Sequence, residues 1–229
     1  MTAKRVTAFA GHYGSGKTHL ALNFALRQRV LYPDRPVILA DLDIVNPYYR
    51  THDARGLLEA HGVVLIASAY AGSNAELPAM PPDAVRAFDD KTFTAVLDVG
   101  GDDRGALALG RYAARMRDSA DADMLFVFNT ARPLTGTAHD ALEVLREIEE
   151  ASHVRFTGVV NNTNLGRDTT PELVLRSHAT AQEICAASGL ALRFTAAQED
   201  LADALRDVGE VFPLRLFARE AWARYSGDQ

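Results

Sequence analysis

Short apolar, β-branched runs recur along this chain, and longer stretches with apolar residues at helical spacing fall between them. The runs at 5–10, 36–40, 63–67, 93–99, 124–129, 155–161 and 191–195 predict strands buried on both faces. The intervening stretches at 17–31, 54–60, 82–88, 105–117, 137–151, 170–188 and 199–207 predict helices. Gly62 and Gly189 fall where helix C-caps are needed, because glycine adopts the left-handed conformation without steric cost. The closing stretch at 212–225 reads as a last helix packed on the sheet. Repeated strand–helix alternation predicts an α/β fold: one domain over 1–229, with a mainly parallel sheet flanked by helices on both faces. Ligands of such sheets bind at the carboxyl ends of the strands.

Composition leaves this picture unchanged and removes alternatives. Hydrophobic residues make up 48% and charged residues 24%, as in ordinary globular proteins, and no linker-like tract divides the chain. The formal net charge of −6 argues against a broad nucleic-acid-binding surface. Cys185 is the only cysteine, which excludes an intrachain disulfide and a four-cysteine metal site. His52, His61, His139, His153 and His178 show no metal-ligand spacing. No apolar run approaches the ~20 residues of a membrane span. The apolar stretch near the N-terminus is too short for a signal peptide, so a cytoplasmic protein is expected.

The chemistry concentrates after the first predicted strand. Gly11-His12-Tyr13-Gly14-Ser15-Gly16-Lys17-Thr18 fits G-x-x-x-x-G-K-[ST], the phosphate-binding loop of nucleotide-hydrolysing proteins. Gly14 and Gly16 permit positive φ, so consecutive N–H groups turn inward around phosphate oxygens. Lys17 brings a cation to the β- and γ-phosphates, and the Thr18 hydroxyl suits Mg²⁺. The helix that follows, with His19 in its first turn, points the positive end of its dipole at the same anion. Gly11, Gly14, Ser15, Gly16, Lys17, Thr18 and His19 are therefore the expected phosphate contacts.

Two further predicted strands end in acid. Asp98 closes Thr94-Ala95-Val96-Leu97-Asp98, where phosphate-loop proteins hold Mg²⁺. Gly101, three residues on, offers a backbone N–H to the γ-phosphate. Asp41 and Asp43 close the second strand and share a face while it continues. One of them is expected in the Mg²⁺ shell and the other on the attacking water.

Together these residues resemble the MinD/ParA-like ATPases, the CobQ/CobB/MinD/ParA branch of the SIMIBI-class phosphate-loop proteins. The resemblance covers most of the chain. Lys17 to Ala25 is similar to that family's loop-to-helix segment, and Asp41-Leu42-Asp43 to its acidic switch. The resemblance gives Asp43 the hydrolytic water, leaving Asp41 and Asp98 with Thr18 for the metal. Asp98 to Gly101 resembles its magnesium and γ-phosphate switch. Gly158-Val159-Val160-Asn161-Asn162 resembles the strand whose Asn contacts the purine; the spacing points to Asn162, then Asn161. No N-K-x-D-like guanine motif appears, so ATP with Mg²⁺ is expected. The implied activity is that of a slowly hydrolysing ATP switch, forming a nucleotide-dependent homodimer and meeting a protein partner.

One departure stands out. The family's lysine at the second loop position, which crosses a dimer to the partner's phosphates, is replaced by His12, and Tyr13 follows it. Two other functions fit the same loop. One is an ATP-dependent ligase or kinase like the dethiobiotin and cobyrinate amide synthetases, with an acceptor pocket near Tyr48, Tyr49 and Arg50. The other is a nucleotide-gated binding module without metabolic chemistry. The last residues, with Phe217, Trp222 and three arginines, are only loosely similar to a membrane-binding amphipathic helix, and membrane association is not expected.

Overall fold

Eight strands form one sheet in the order β3-β2-β4-β1-β5-β6-β7-β8, every neighbouring pair parallel. The computed structural model describes residues 3–42, 54–66, 85–101 and 103–216. The strands are β1 (Val6–Ala10), β2 (Val37–Leu42), β3 (Val63–Ile66), β4 (Thr94–Val99), β5 (Ala122–Phe128), β6 (Gly158–Asn161), β7 (Leu192–Gln198) and β8 (Val211–Leu214). The helices are α1 (Lys17–Leu31), α2 (Arg55–Ala60), α3 (Arg86–Asp89), α4 (Asp103–Gly110), α5 (Ala113–Asp118), α6 (Ala138–Ser152) and α7 (Pro171–Ser188).

Because a parallel sheet needs crossovers on its faces, both faces are apolar and both are covered. On one face Phe9, Val37, Leu39, Val96, Leu125 and Val127 pack with Leu20 and Phe24 of α1 and Leu58 of α2. Phe24 stands edge-on to Phe9, with centroids 5.1 Å apart, and lies against Phe212 of β8 at 5.7 Å. On the other face Ala8, Ile38, Leu97, Met124 and Phe126 pack with residues of α3 to α7, among them Leu109, Leu145 and Ile184.

This division follows from handedness. Connections running from β1 toward β3 use α1 and α2 on one face. Those running back through β4 toward β7 use α3 to α7 on the other, as right-handed crossovers demand. The direction reverses beside β1, so the carboxyl end of β1 is the switch point where ligands of open α/β sheets bind.

Within the described residues the predicted elements are found with three corrections; 82–84 of the helix expected over 82–88, and 67 of the strand expected over 63–67, lie outside them. The helix expected over 105–117 is two, because Tyr112 leaves helical conformation and stacks on Phe88 at 4.9 Å. The stretch at 199–207 is a 3₁₀ segment, Glu199–Val208, kinked at Leu205. Residues 212–214 belong to strand β8 instead of beginning a final helix. Phe212 and Leu214 alternate inward there, and Pro213 is tolerated because β8 lies at the sheet edge. Gly62 and Gly189 do adopt positive φ, at 71° and 74°. Among the described residues no helix is long and apolar enough to cross a membrane.

Candidate functional site

The loop between β1 and α1 has the conformation that its glycines predict. Gly14 and Gly16 have φ of 79° and 83°, and Gly16 caps the start of α1. The Ser15 N–H donates to the His12 carbonyl at 3.1 Å, which closes the turn. Lys17 is 5% exposed, and its Nζ donates to the His12 carbonyl at 3.2 Å, so its charge lies against the loop.

The strand-end acids meet at this place. Asp41 and Asp98 are register partners on adjacent strands, and Asp98 is also paired with Phe9 of β1. Side-chain alternation puts both carboxylates on the face that carries α1, since Leu39, Val96 and Phe9 pack there. They thus share that face with the helix whose first residues are Lys17 and Thr18. Two carboxylates, a hydroxyl and phosphate oxygens form the hard oxygen donor set that Mg²⁺ takes. Asp98 is fully buried and Asp41 half-buried.

Three neighbouring strand ends brace the loop in spatial order. After β4, Gly101 is pressed on its first half: a Cβ there would stand 2.5 Å from the Tyr13 nitrogen and 2.9 Å from the Gly11 carbonyl. After β5, Arg132 Nε donates to the Gly14 carbonyl at 3.0 Å. After β6, Asn162 Nδ2 donates to the Ser15 carbonyl at 2.6 Å. The last two contacts draw carbonyl oxygens aside at Gly14 and Ser15, which favours a concave face of N–H groups.

Sequence reading sent Asn162 and Asn161 to the base. Asn162 gives an amide N–H to the loop and keeps Oδ1 buried without a partner. Asn161 is fully buried, donates to Ser177 Oγ at 2.8 Å and accepts from the Thr163 N–H at 3.1 Å, so its amide braces β6. Ser15 Oγ is a second buried atom without a partner beside the loop. Orphaned polar groups of this kind fit a site completed by a polar ligand.

Asn129 and Asn164 were missed. Asn129 is fully buried, donates to the Asn164 carbonyl at 3.1 Å and accepts from the Ala131 and Asn164 N–H groups. Asn164 Nδ2 in turn donates to the Asn162 carbonyl at 2.7 Å. The only sequence signal was the turn-rich Asn161-Asn162-Thr163-Asn164, and it does not name the partners.

The His19 side chain is engaged elsewhere. Its Nε2 is 2.6 Å from the Arg215 carbonyl, and Asn23 holds the same residue through both its N–H and its carbonyl. Burial pushes the His19 ring below its usual 6.5, opposed by the bond to Arg215, so the ring is neutral at pH 7. The unfolded chain takes up this proton near 6.5 and the folded chain resists it. Stability from His19 is therefore complete above that value and falls as pH drops through the lower folded pKa. Melting temperatures measured between about pH 7.5 and 5 should fall less steeply for His19→Gln than for the wild type. The ion pair of Arg215 with Glu199, at 2.8 Å, is present in both proteins.

Asp43 lies outside the described residues, as do Tyr48, Tyr49, Arg50, Phe217 and Trp222. Tyr13 is 52% exposed, and its carbonyl lies 3.0 Å from His12 Nδ1.

No family model matches the sequence, and no curated protein matches it significantly. Solved structures do match the fold. The signal recognition particle 54 kDa protein from Aeropyrum pernix K1, in complex with GDP, matches with a TM-score of 0.57 and 14% identity, covering 98% of this chain and 50% of that one. The signal recognition particle receptor FtsY from Elizabethkingia anophelis gives 0.52 and 17%, covering 91% and 66%. FlhF complexed with GTP and Mg²⁺ gives 0.52 and 11%, covering 83% and 64%. The chain spans about half to two thirds of the length of these structures. At such identities the likeness is one of architecture: this chain has a parallel α/β fold like that of phosphate-loop nucleoside triphosphatases, with its glycine loop at the switch point.

Proposed function

We propose that this protein is a Mg²⁺-dependent ATP-binding switch of the MinD/ParA-like type that hydrolyses ATP slowly. The observation that carries the reading is the preformed cradle: Gly14 and Gly16 at positive φ, buried Lys17 at the head of α1, and the partnered Asp41 and Asp98 on the same face. A loop already shaped for an anion avoids part of the ordering cost of binding.

Each residue then has a task. Loop N–H groups hold the phosphates and Lys17 stabilises the transferring charge. Thr18, Asp98 and Asp41 hold Mg²⁺, which when bound neutralises charge on the β- and γ-oxygens. Asp43 orients the attacking water, and the Gly101 N–H reports the γ-phosphate. The purine assignment rests on Asn162. One Nδ2 proton goes to the Ser15 carbonyl, which leaves the acceptor Oδ1 and a second amide N–H. Adenine matches that acceptor and donor together, with N6–H and N7 on one edge, whereas guanine presents two acceptors there, O6 and N7. GDP and GTP occupy two of the matching structures, so GTP is the competitor to test. A protein partner and a nucleotide-dependent homodimer complete the reading as the outputs of the switch.

Asp43→Ala separates binding from chemistry. The variant should bind MgATP as the wild type does and hydrolyse it ~10²-fold more slowly, the scale of a lost proton-transfer or water-positioning group. Binding by equilibrium titration and phosphate release at saturating ATP measure the two quantities. Equal turnover in both proteins removes Asp43 from the mechanism.

A further inference from the structure

The loop lacks a second lysine, yet a second cation stands on it. Arg132 enters from the turn after β5, and its side chain lies along Gly14: a methyl group added there would meet Nε at 3.2 Å and Cζ at 3.7 Å. Nε donates to the Gly14 carbonyl at 3.0 Å. That one bond uses one of the five guanidinium N–H donors. Among the described residues, nothing accepts from the terminal nitrogens, and no carboxylate pairs with Arg132. Other arginines of the chain do pair: Arg5 with Asp121, Arg115 with Asp89, Arg193 with Asp123 and Arg215 with Glu199.

The root of Arg132 is also fixed. Its backbone N–H donates to the Asn129 carbonyl at 3.0 Å. That carbonyl also accepts from the fully buried Thr135 hydroxyl at 2.7 Å, and Pro133 opens the 3₁₀ turn between them. Asn129 is tied to Asn164, and Asn164 to Asn162, which holds Ser15. The arginine therefore rises from the same buried polar frame that shapes the loop. A planar fork anchored through Nε, with its terminal N–H groups uncommitted, is suited to phosphate oxygens.

We propose that Arg132 supplies in cis the second phosphate-binding cation that the loop itself does not carry, by contacting the terminal phosphate of the bound triphosphate. This rests on the nucleotide reading above. It implies that one chain holds a complete set of phosphate cations, without a lysine from a second copy.

The test compares Arg132→Gln and Arg132→Lys with the wild type, using Mg²⁺ with ATP or ADP in equilibrium titrations. Gln keeps an N–H for the Gly14 carbonyl and loses the charge; Lys keeps the charge and loses the fork. Because Arg132 is exposed, both variants should keep the wild-type melting temperature without nucleotide. Arg132→Gln should bind ATP on the order of tenfold more weakly, with ADP affinity changed less than about threefold, and Arg132→Lys should lie between it and the wild type. ATP binding by Arg132→Gln at wild-type strength overturns the inference. Equal weakening of ATP and ADP also overturns it, because a mere brace of the loop acts on both. A wild type that binds neither nucleotide defeats the nucleotide reading itself, a different result from either.

Discussion

Lys17→Ala is expected to abolish measurable MgATP binding and hydrolysis. Lys17 is the first residue of α1 and is 5% exposed, and its ammonium donates to the His12 carbonyl within the loop. A cation held in so shielded a place acts on phosphate charge far more strongly than one in water. Removing it deletes that attraction and leaves phosphate facing Asp41 and Asp98 on the same face with one positive charge fewer. The loss should be at least about 10²–10³-fold in turnover, the scale seen when one stabilising donor is removed from a developing charge. Phosphate release and nucleotide titration measure it, and a melting curve of the nucleotide-free variant separates lost function from lost fold. Full activity in Lys17→Ala removes the loop from the mechanism.

Gly101→Ala is the second large effect, and its cause is contact alone. A Cβ at Gly101 would lie 2.5 Å from the Tyr13 nitrogen, 2.8 Å from the His12 carbonyl carbon and 2.9 Å from the Gly11 carbonyl oxygen. All are backbone atoms, so no side chain can swing away. Either the phosphate loop or the β4–α4 junction must shift, and a displacement near 1 Å is enough to cost about 10²-fold where geometry decides the rate. Gly56→Ala is the matched control. Gly56 lies in α2 with nothing within 4 Å of the added methyl, so the substitution should leave nucleotide binding unchanged and favour the helix slightly. Nucleotide affinity unchanged in Gly101→Ala shows that the junction does not support the loop.

Much of the site was legible because its chemistry is local in sequence. A strand, a glycine loop and a helix occupy consecutive positions, so 6–31 announced both the element types and the phosphate cradle. Asp41 and Asp98 were legible as acids ending apolar runs, and their pairing in register is what the sheet adds. Contacts across long separations were not legible. Arg132 reaches Gly14 across 118 positions and Asn162 reaches Ser15 across 147, and no periodicity encodes either bond. Gly101 read as a γ-phosphate neighbour; the packing adds that its missing side chain makes room for the loop. β8 was not legible because four residues are too few for strand alternation to show against a neighbouring helical pattern, and Pro213 fits a strand only at a sheet edge.

The central claim is that this cradle holds MgATP. Isothermal titration of the wild-type chain with ATP and with GTP, each with Mg²⁺, tests it most directly. Saturable binding of ATP near one per chain, tighter than that of GTP, is the predicted result. Tighter binding of GTP contradicts the purine assignment, and the absence of binding by either nucleotide contradicts the account as a whole.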